Sequence, residues 1–164
     1  MITLSPEQII EYFHRSYTAV DGLWFMKVED KYGFDAALEI DEEVWKVMPK
    51  IQARKLKKLT GLGEGMKNLY ECVTTKLHIE KFRFESEMNS NSEFIIHIKR
   101  CPWHDIMVQA GRKNLSQKIG PKICMSEYEG WAAEFGENID FEITDKICRG
   151  NGLCNVRFFR SASE

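Results

Sequence analysis

The hydrophobic repeat of this chain changes character near its middle, and few architectures accommodate such a change. Up to about residue 76, large apolar residues recur at helical spacing. Ile9, Ile10, Phe13 and Tyr17 form one run, Leu23, Trp24, Val28 and Tyr32 a second, and Leu38, Ile40, Val44, Trp45, Met48, Ile51 and Leu56 a third, with Leu69, Tyr70 and Val73 after a break. Beyond that point apolar residues alternate: Phe82 and Phe84, then Phe94, Ile96 and Ile98, and later Ile139, Phe141, Ile143 followed by Cys154, Val156 and Phe158. The linkers Asn89-Ser90-Asn91-Ser92 and Arg149-Gly150-Asn151-Gly152 make two hairpins of these four segments. Helical spacing returns between them, over Asp105 to Gln117 and Ser126 to Phe135. The expectation is an α+β fold in one domain, 1–164. It has a helical N-terminal half (1–76) and an antiparallel sheet of about four strands in the part 77–164, two hairpins flanking a helical pair.

Local punctuation sharpens the helical half. Ser5 before Pro6 reads as an N-cap with proline at the first helical position, Gly33 as a C-cap closing a second helix, and Pro49 as a kink in a third. Thr60-Gly61-Leu62-Gly63-Glu64-Gly65 is the clearest break. No strand precedes it and no Gly-Lys-Ser/Thr follows, so its glycines do not make a phosphate loop. A fourth helix is expected from Met66 to about Thr75, with Cys72 as a small buried apolar residue.

With 164 residues, 43% hydrophobic and 29% charged, the chain is long enough to build a core without disulfides. A net charge of −2 gives no general attraction for nucleic acid, and the basic run Lys50, Arg54, Lys55, Lys57, Lys58 reads as a solvated helix face. No stretch is long and apolar enough for a membrane span and no leader pattern opens the chain, so a cytoplasmic location is expected. Five cysteines, an odd number with four beyond position 100, suit reduced thiols that act as ligands better than a disulfide framework.

Those late cysteines carry the most specific chemistry. Cys148 and Cys154 flank the Gly-Asn-Gly turn, Asp145 precedes Cys148 by three residues, and Cys124 follows Pro121 in what reads as a loop between two helices. Thiolates and a carboxylate delivered from turns are the usual donors for zinc. The stretch from Cys124 through Tyr128, Gly130, Trp131, Phe135 and Gly136, continuing through Asp145-x-x-Cys148 to Gly152-x-Cys154 and Val156-x-Phe158, resembles the 4-vinyl-reductase-type, or hydrocarbon-binding, domain. That resemblance implies zinc held by Cys124, Asp145, Cys148 and Cys154 beside a pocket for a small apolar molecule. The chain departs from the pattern in having Asp rather than Glu, with Cys101 or His104 as the alternative donor, and in the close spacing of Cys148 and Cys154. The pattern Trp24-Phe25-x-x-Val28-Glu29, Gly33, Ala37, Asp41-x-x-Val44-Trp45, with Cys124-Met-Ser-Glu127 and Cys154-Asn-Val-Arg-Phe158, is similar to L-2-amino-thiazoline-4-carboxylic acid hydrolase-like proteins. It implies hydrolysis of a small cyclic amidine or amide.

A second candidate centre is Cys101-Pro102-Trp103-His104-Asp105, where a strand gives way to a helix. Free N–H groups there lower a thiol's pKa, which makes Cys101 a candidate nucleophile with His104 as its base. Arg112 is placed to hold an anionic substrate, and Trp103 and Trp131 to line a pocket, although aromatics of this kind serve first as core. Four thiols at 101, 124, 148 and 154 also suffice for a four-iron four-sulfur cluster, without its compact motif. Glu11-x-x-His14 lacks the second pair a di-metal bundle needs. The leading expectation is a zinc-containing domain that binds a small organic molecule. A hydrolase, an iron–sulfur protein and a protein-interaction module with a structural metal are the alternatives. Small domains of this type commonly form homodimers, with no register legible in the chain.

Overall fold

The computed structural model describes residues 2–161. Its elements are α1 (Pro6–Tyr32), α2 (Phe34–Trp45), α3 (Met48–Thr60), α4 (Met66–Ile79), β1 (Arg83–Ser90), β2 (Glu93–Arg100), α5 (Pro102–Gln109), α6 (Lys113–Ala133), β3 (Ile139–Ile143), a short 3-10 helix (Ile147–Arg149) and β4 (Cys154–Arg160). The chain divides into two compact units, Met1–Glu43 and Val44–Glu164. The α+β architecture follows the expectation: helices first, then two hairpins around a helical pair.

In the first unit, Ser5 caps α1 through a reciprocal pair of bonds with Gln8, the arrangement that satisfies two orphan donors at a helix start. The two expected helices before Gly33 are one continuous helix of 27 residues. Gly22 sits in its middle with open space around it. A mid-helix glycine costs only about 1 kcal/mol, too little to stop so long a helix. Gly33 does end it, at φ +87°, a dihedral that a side chain would make costly. The buried residues here are Phe25, Val28, Ala37 and Leu38, with Phe25 edge-on to Phe34 at 6.1 Å.

In the second unit Pro49 starts a helix rather than kinking one. It lies in the first turn of α3, where its missing N–H would lack a helical partner in any case. Gly61, left-handed at φ +71°, caps that helix by donating to the Lys57 carbonyl. Of the basic run, Arg54, Lys55 and Lys58 are exposed on α3, whereas Lys57 is half-buried and donates to the Glu134 carbonyl; Arg54 makes a bidentate pair with the Glu134 carboxylate at 2.6 and 2.9 Å.

The sheet is antiparallel throughout, in the order β1-β2-β4-β3. Alternation puts Phe94, Ile96, Ile98, Val156 and Phe158 into the core, and register pairs Phe94 with Phe158, whose rings stack at 4.8 Å. Helices α4 and α6 supply the facing layer: Leu69, Val73 and Leu77 from one, Tyr128, Trp131 and Ala132 from the other.

The expected loop at Pro121 does not exist. Pro121 lies inside α6, and the helical pair breaks earlier, at Ala110 to Arg112 around Gly111. An interior proline costs about 3 kcal/mol. Burial of Ile123, Tyr128 and Trp131 along one continuous face outweighs it, at roughly 1.5–3 kcal/mol per large side chain. Among the described residues no helix is long and apolar enough to cross a membrane.

Candidate functional site

The continuity of α6 changes how Cys124 is delivered. Its sulfur comes from a mid-helix position rather than from a loop. Cys101 is the N-cap residue of α5, Cys148 lies in the 3-10 helix, and Cys154 opens β4. The Ile147 N–H donates to Cys154 Sγ at 3.2 Å. Cys148 packs against Gly120 so closely that a Cβ there would lie 2.9 Å from its sulfur. Gly120 is one turn before Cys124, so α6 meets the 3-10 helix at the level of these thiols. All four remain free cysteines with some exposed surface, and Cys101, Cys124 and Cys154 pack against the core.

The four sulfurs share one electrostatic neighbourhood. Burial pushes the Cys124 thiol well up from its ordinary range, and the neighbouring Cys101, Glu127, Cys154 and Cys148 push it further. Burial likewise raises Cys148 and Cys154. Cys101 does not have the lowered pKa expected of a helix start. Burial takes it up to about 12, overcoming the N–H groups of His104 and Trp103 that favour the thiolate. A thiol held neutral at physiological pH is a poor nucleophile.

Asp145 is directed elsewhere. Its carboxylate accepts hydrogen bonds from Asn155 Nδ2 at 2.7 Å and Asn151 Nδ2 at 3.4 Å. His104 is engaged through Nδ1 with the Ser116 hydroxyl at 2.7 Å, tying α5 to α6. Among the described residues no three His, Cys, Asp or Glu side chains converge as a metal ion would need. The donor chemistry, four soft sulfurs, suits zinc or an iron–sulfur cluster. Burial favours the protonated thiols when no metal is bound, so any metal held here has to displace their protons.

The charged part of the site was not among the expected residues. Lys76 on α4 is buried between Glu80, 3.0 Å away at the C-cap of that helix, and Glu127 on α6. Glu80 also accepts from Gln52 Nε2 at 3.3 Å and Trp103 Nε1 at 3.4 Å. Lys76 further lies over the Phe82 ring at 5.2 Å. Burial opposes charge on Lys76, but Glu127 and Glu80 outweigh it and hold the ammonium charged. With one cation for two carboxylates, burial raises the Glu127 pKa, Lys76 pulls it back and the Glu80 charge adds to the rise. Tyr128 beside it stays neutral, raised by burial and then by Glu127. Cys124 and Glu127 are three residues apart on α6, so thiols and triad form one polar inclusion at the edge of the core. The sequence signals were Lys76-x-x-x-Glu80 and the acid of Cys124-Met-Ser-Glu127, both at helical contact spacing.

The remaining candidates divide. Trp103 reaches the triad and packs edge-on against Trp45 at 5.7 Å. Trp131 is fully buried, stacked on Phe135 at 6.3 Å, with an Nε1 that has no hydrogen-bond partner among the described residues. Arg112 is the N-cap residue of α6. A groove of about 520 Å³ along the other side of α6, lined by Met125, Glu129, Ala132, Ile139 and Phe141 among others, includes none of the expected site residues.

A family model matches residues 3–153, nearly the whole chain. The chain belongs to DUF6125, a family of unknown function. This DUF6125 chain is similar in fold to the crystal structure of the phenol-responsive sensory domain of the transcription activator PoxR with phenol. The TM-score is 0.52 at 12% identity, over 98% of this chain and 76% of that one. No curated protein matches it.

Proposed function

We propose that this protein is a small-molecule-binding domain of the sensory type, with its ligand seated at the polar inclusion formed by Lys76, Glu80, Glu127 and Trp103. The observation that carries this reading is the buried triad. A lysine and two carboxylates inside a core usually lower stability relative to apolar residues of the same volume, so their presence calls for a task other than folding. The groups offer what a small aromatic or heterocyclic molecule with one hydroxyl or amino group needs: a charged donor, two accepting carboxylates and an aromatic wall. The fold shared with a phenol-responsive sensory domain supports the same class of ligand.

Titration of the purified chain with phenol and a panel of substituted phenols and anilines, followed by calorimetry and tryptophan fluorescence, tests the proposal. At least one compound should bind, and Glu127→Gln or Trp103→Leu should weaken it while the circular dichroism spectrum is unchanged. Binding that survives both substitutions, or a panel without a single binder, removes the site assigned here.

A second reading is favoured by the gathering of four thiols in one neighbourhood. Zinc would be bound by the thiolates of Cys101, Cys124, Cys148 and Cys154, with Cys101 in place of Asp145, because Asn155 and Asn151 occupy that carboxylate. Binding would have to release thiol protons and draw the sulfurs together, so affinity would rise steeply with pH. Elemental analysis of protein purified without added metal, with an absorption spectrum to detect an iron–sulfur cluster, decides between zinc, iron and neither. A thiazoline or amide hydrolase is the least supported reading, since the high pKa of Cys101 argues against it as nucleophile.

A further inference from the structure

The helix α1 is long and leaves most of its apolar residues uncovered. Only Phe25 and Val28 of its 27 residues are buried. Phe13 is 65% exposed, Val20 68% and Trp24 63%, and Ile9, Ile10, Tyr12, Leu23 and Met26 are exposed as well. Scattered exposed apolar residues are ordinary, but these form a seam. Ile9, Phe13, Ser16, Val20 and Leu23 follow one another at spacings of four and three, the repeat by which two helices pack along their length.

The seam has a second regularity. Inverting the helix about Thr18 carries Ile10, Tyr12 and Phe13 onto the positions of Met26, Trp24 and Leu23. The middle, from Ser16 to Val20, has no large exposed residue except Val20. A two-fold interface must be self-complementary, so an antiparallel pair needs a pattern that reads the same in both directions. Taking roughly 200 Å² for a fully exposed residue of this size, the eight side chains expose on the order of 900 Å² in all, an upper limit on what a partner helix can cover and of the same order as the roughly 800 Å² per partner of a stable complex.

We propose that α1 is a self-association helix, which pairs antiparallel with α1 of a second copy of this chain about a two-fold axis at Thr18. Phe13 of one copy then packs opposite Leu23 of the other, at both ends of the contact. Ile10 packs against Trp24 on one flank of the seam, and Tyr12 against Met26 on the other.

Sedimentation velocity of the full chain over a concentration series, with circular dichroism as the control for folding, tests this. The natural chain should sediment as a dimer at micromolar concentration. Phe13→Lys and Leu23→Glu should each weaken dimerisation by about 30-fold or more, the effect of losing a central apolar anchor. Combined in one chain, they should restore the dimer, because antiparallel pairing sets each new lysine opposite a new glutamate. A chain that stays monomeric throughout, as it would if another part of the chain or a different protein covers the seam, overturns the proposal. So does a dimer indifferent to both single changes. A double variant no better than the singles overturns the antiparallel arrangement.

Discussion

Helices α1 and α6 are of comparable length, and they invert the usual distribution of polar and apolar residues. Helix α6 carries Glu127 and Ser126 into the interior beside Tyr128 and Trp131, whereas α1 turns Phe13, Val20, Leu23 and Trp24 outward. A folding chain gains most by the reverse arrangement, so each departure costs stability that some other interaction must offset. In α6 the offset is internal: Lys76 reaches Glu127 across the layer and the triad closes. In α1 the seam stays exposed among the described residues, and the cover we propose for it is a second copy. On the two proposals made above, the buried charge serves a ligand and the exposed hydrocarbon a partner.

The sharpest way to break this comparison is to remove the internal offset. Lys76→Met leaves Glu80 and Glu127 buried without their cation, and breaking a buried pair in this way costs about 3–5 kcal/mol. Urea denaturation should show a correspondingly lower midpoint at neutral pH, and adding Glu127→Leu should recover much of the loss. If Lys76→Met alone leaves the midpoint unchanged, the triad is wetter than its geometry implies, and the contrast with α1 loses its basis.

Much of this was readable from residue order, for reasons that also explain the rest. Strand alternation from Phe94 to Ile98 and from Cys154 to Phe158 is a local signal, and the register follows from it. The Ser5 cap and the left-handed Gly61 are likewise local. The passage of α6 through Pro121 was hidden, because a proline's cost is local while the burial that outweighs it is tertiary. Burial of Lys76 was hidden for the same reason, since its partner Glu127 lies 51 residues away. The cysteines could be grouped by their spacing around a turn. The engagement of Asp145 with Asn155 could not, because it depends on side-chain directions at the start of β4.

A gentler probe is pH. Burial raises the pKa of Glu127 in the folded chain above the ordinary carboxylate value of about 4.5, so folding favours the protonated acid. Its contribution is fully present below that value and is lost as pH rises through the folded pKa. Glu127→Gln is neutral at every pH and removes the dependence. The gap in melting temperature between variant and natural chain should be widest, in favour of the variant, at neutral pH and should close as pH falls toward about 4.5. The lowered carboxylates, such as Glu134 held by Arg54, lose their contribution at still lower pH in both chains alike, which leaves the difference intact. A gap that does not vary with pH would mean that Glu127 has the same pKa in the folded and unfolded chain, the pull of Lys76 cancelling the effect of burial, and the raised pKa argued here would go.

The smallest effect belongs to α1. Trp24 is 63% exposed, so Trp24→Ala removes little burial within one chain and should change its unfolding free energy by no more than about 0.5 kcal/mol when measured at dilution. Concentrated samples should behave differently, because the same substitution removes the residue that flanks the seam opposite Ile10 of the second copy, and the stability difference should then grow with protein concentration. That concentration dependence separates a residue waiting for a partner from one that is merely solvated. A loss of several kcal/mol at dilution would show instead that Trp24 is packed within the single folded chain, and α1 would then be a second buried helix like α6 rather than its counterpart.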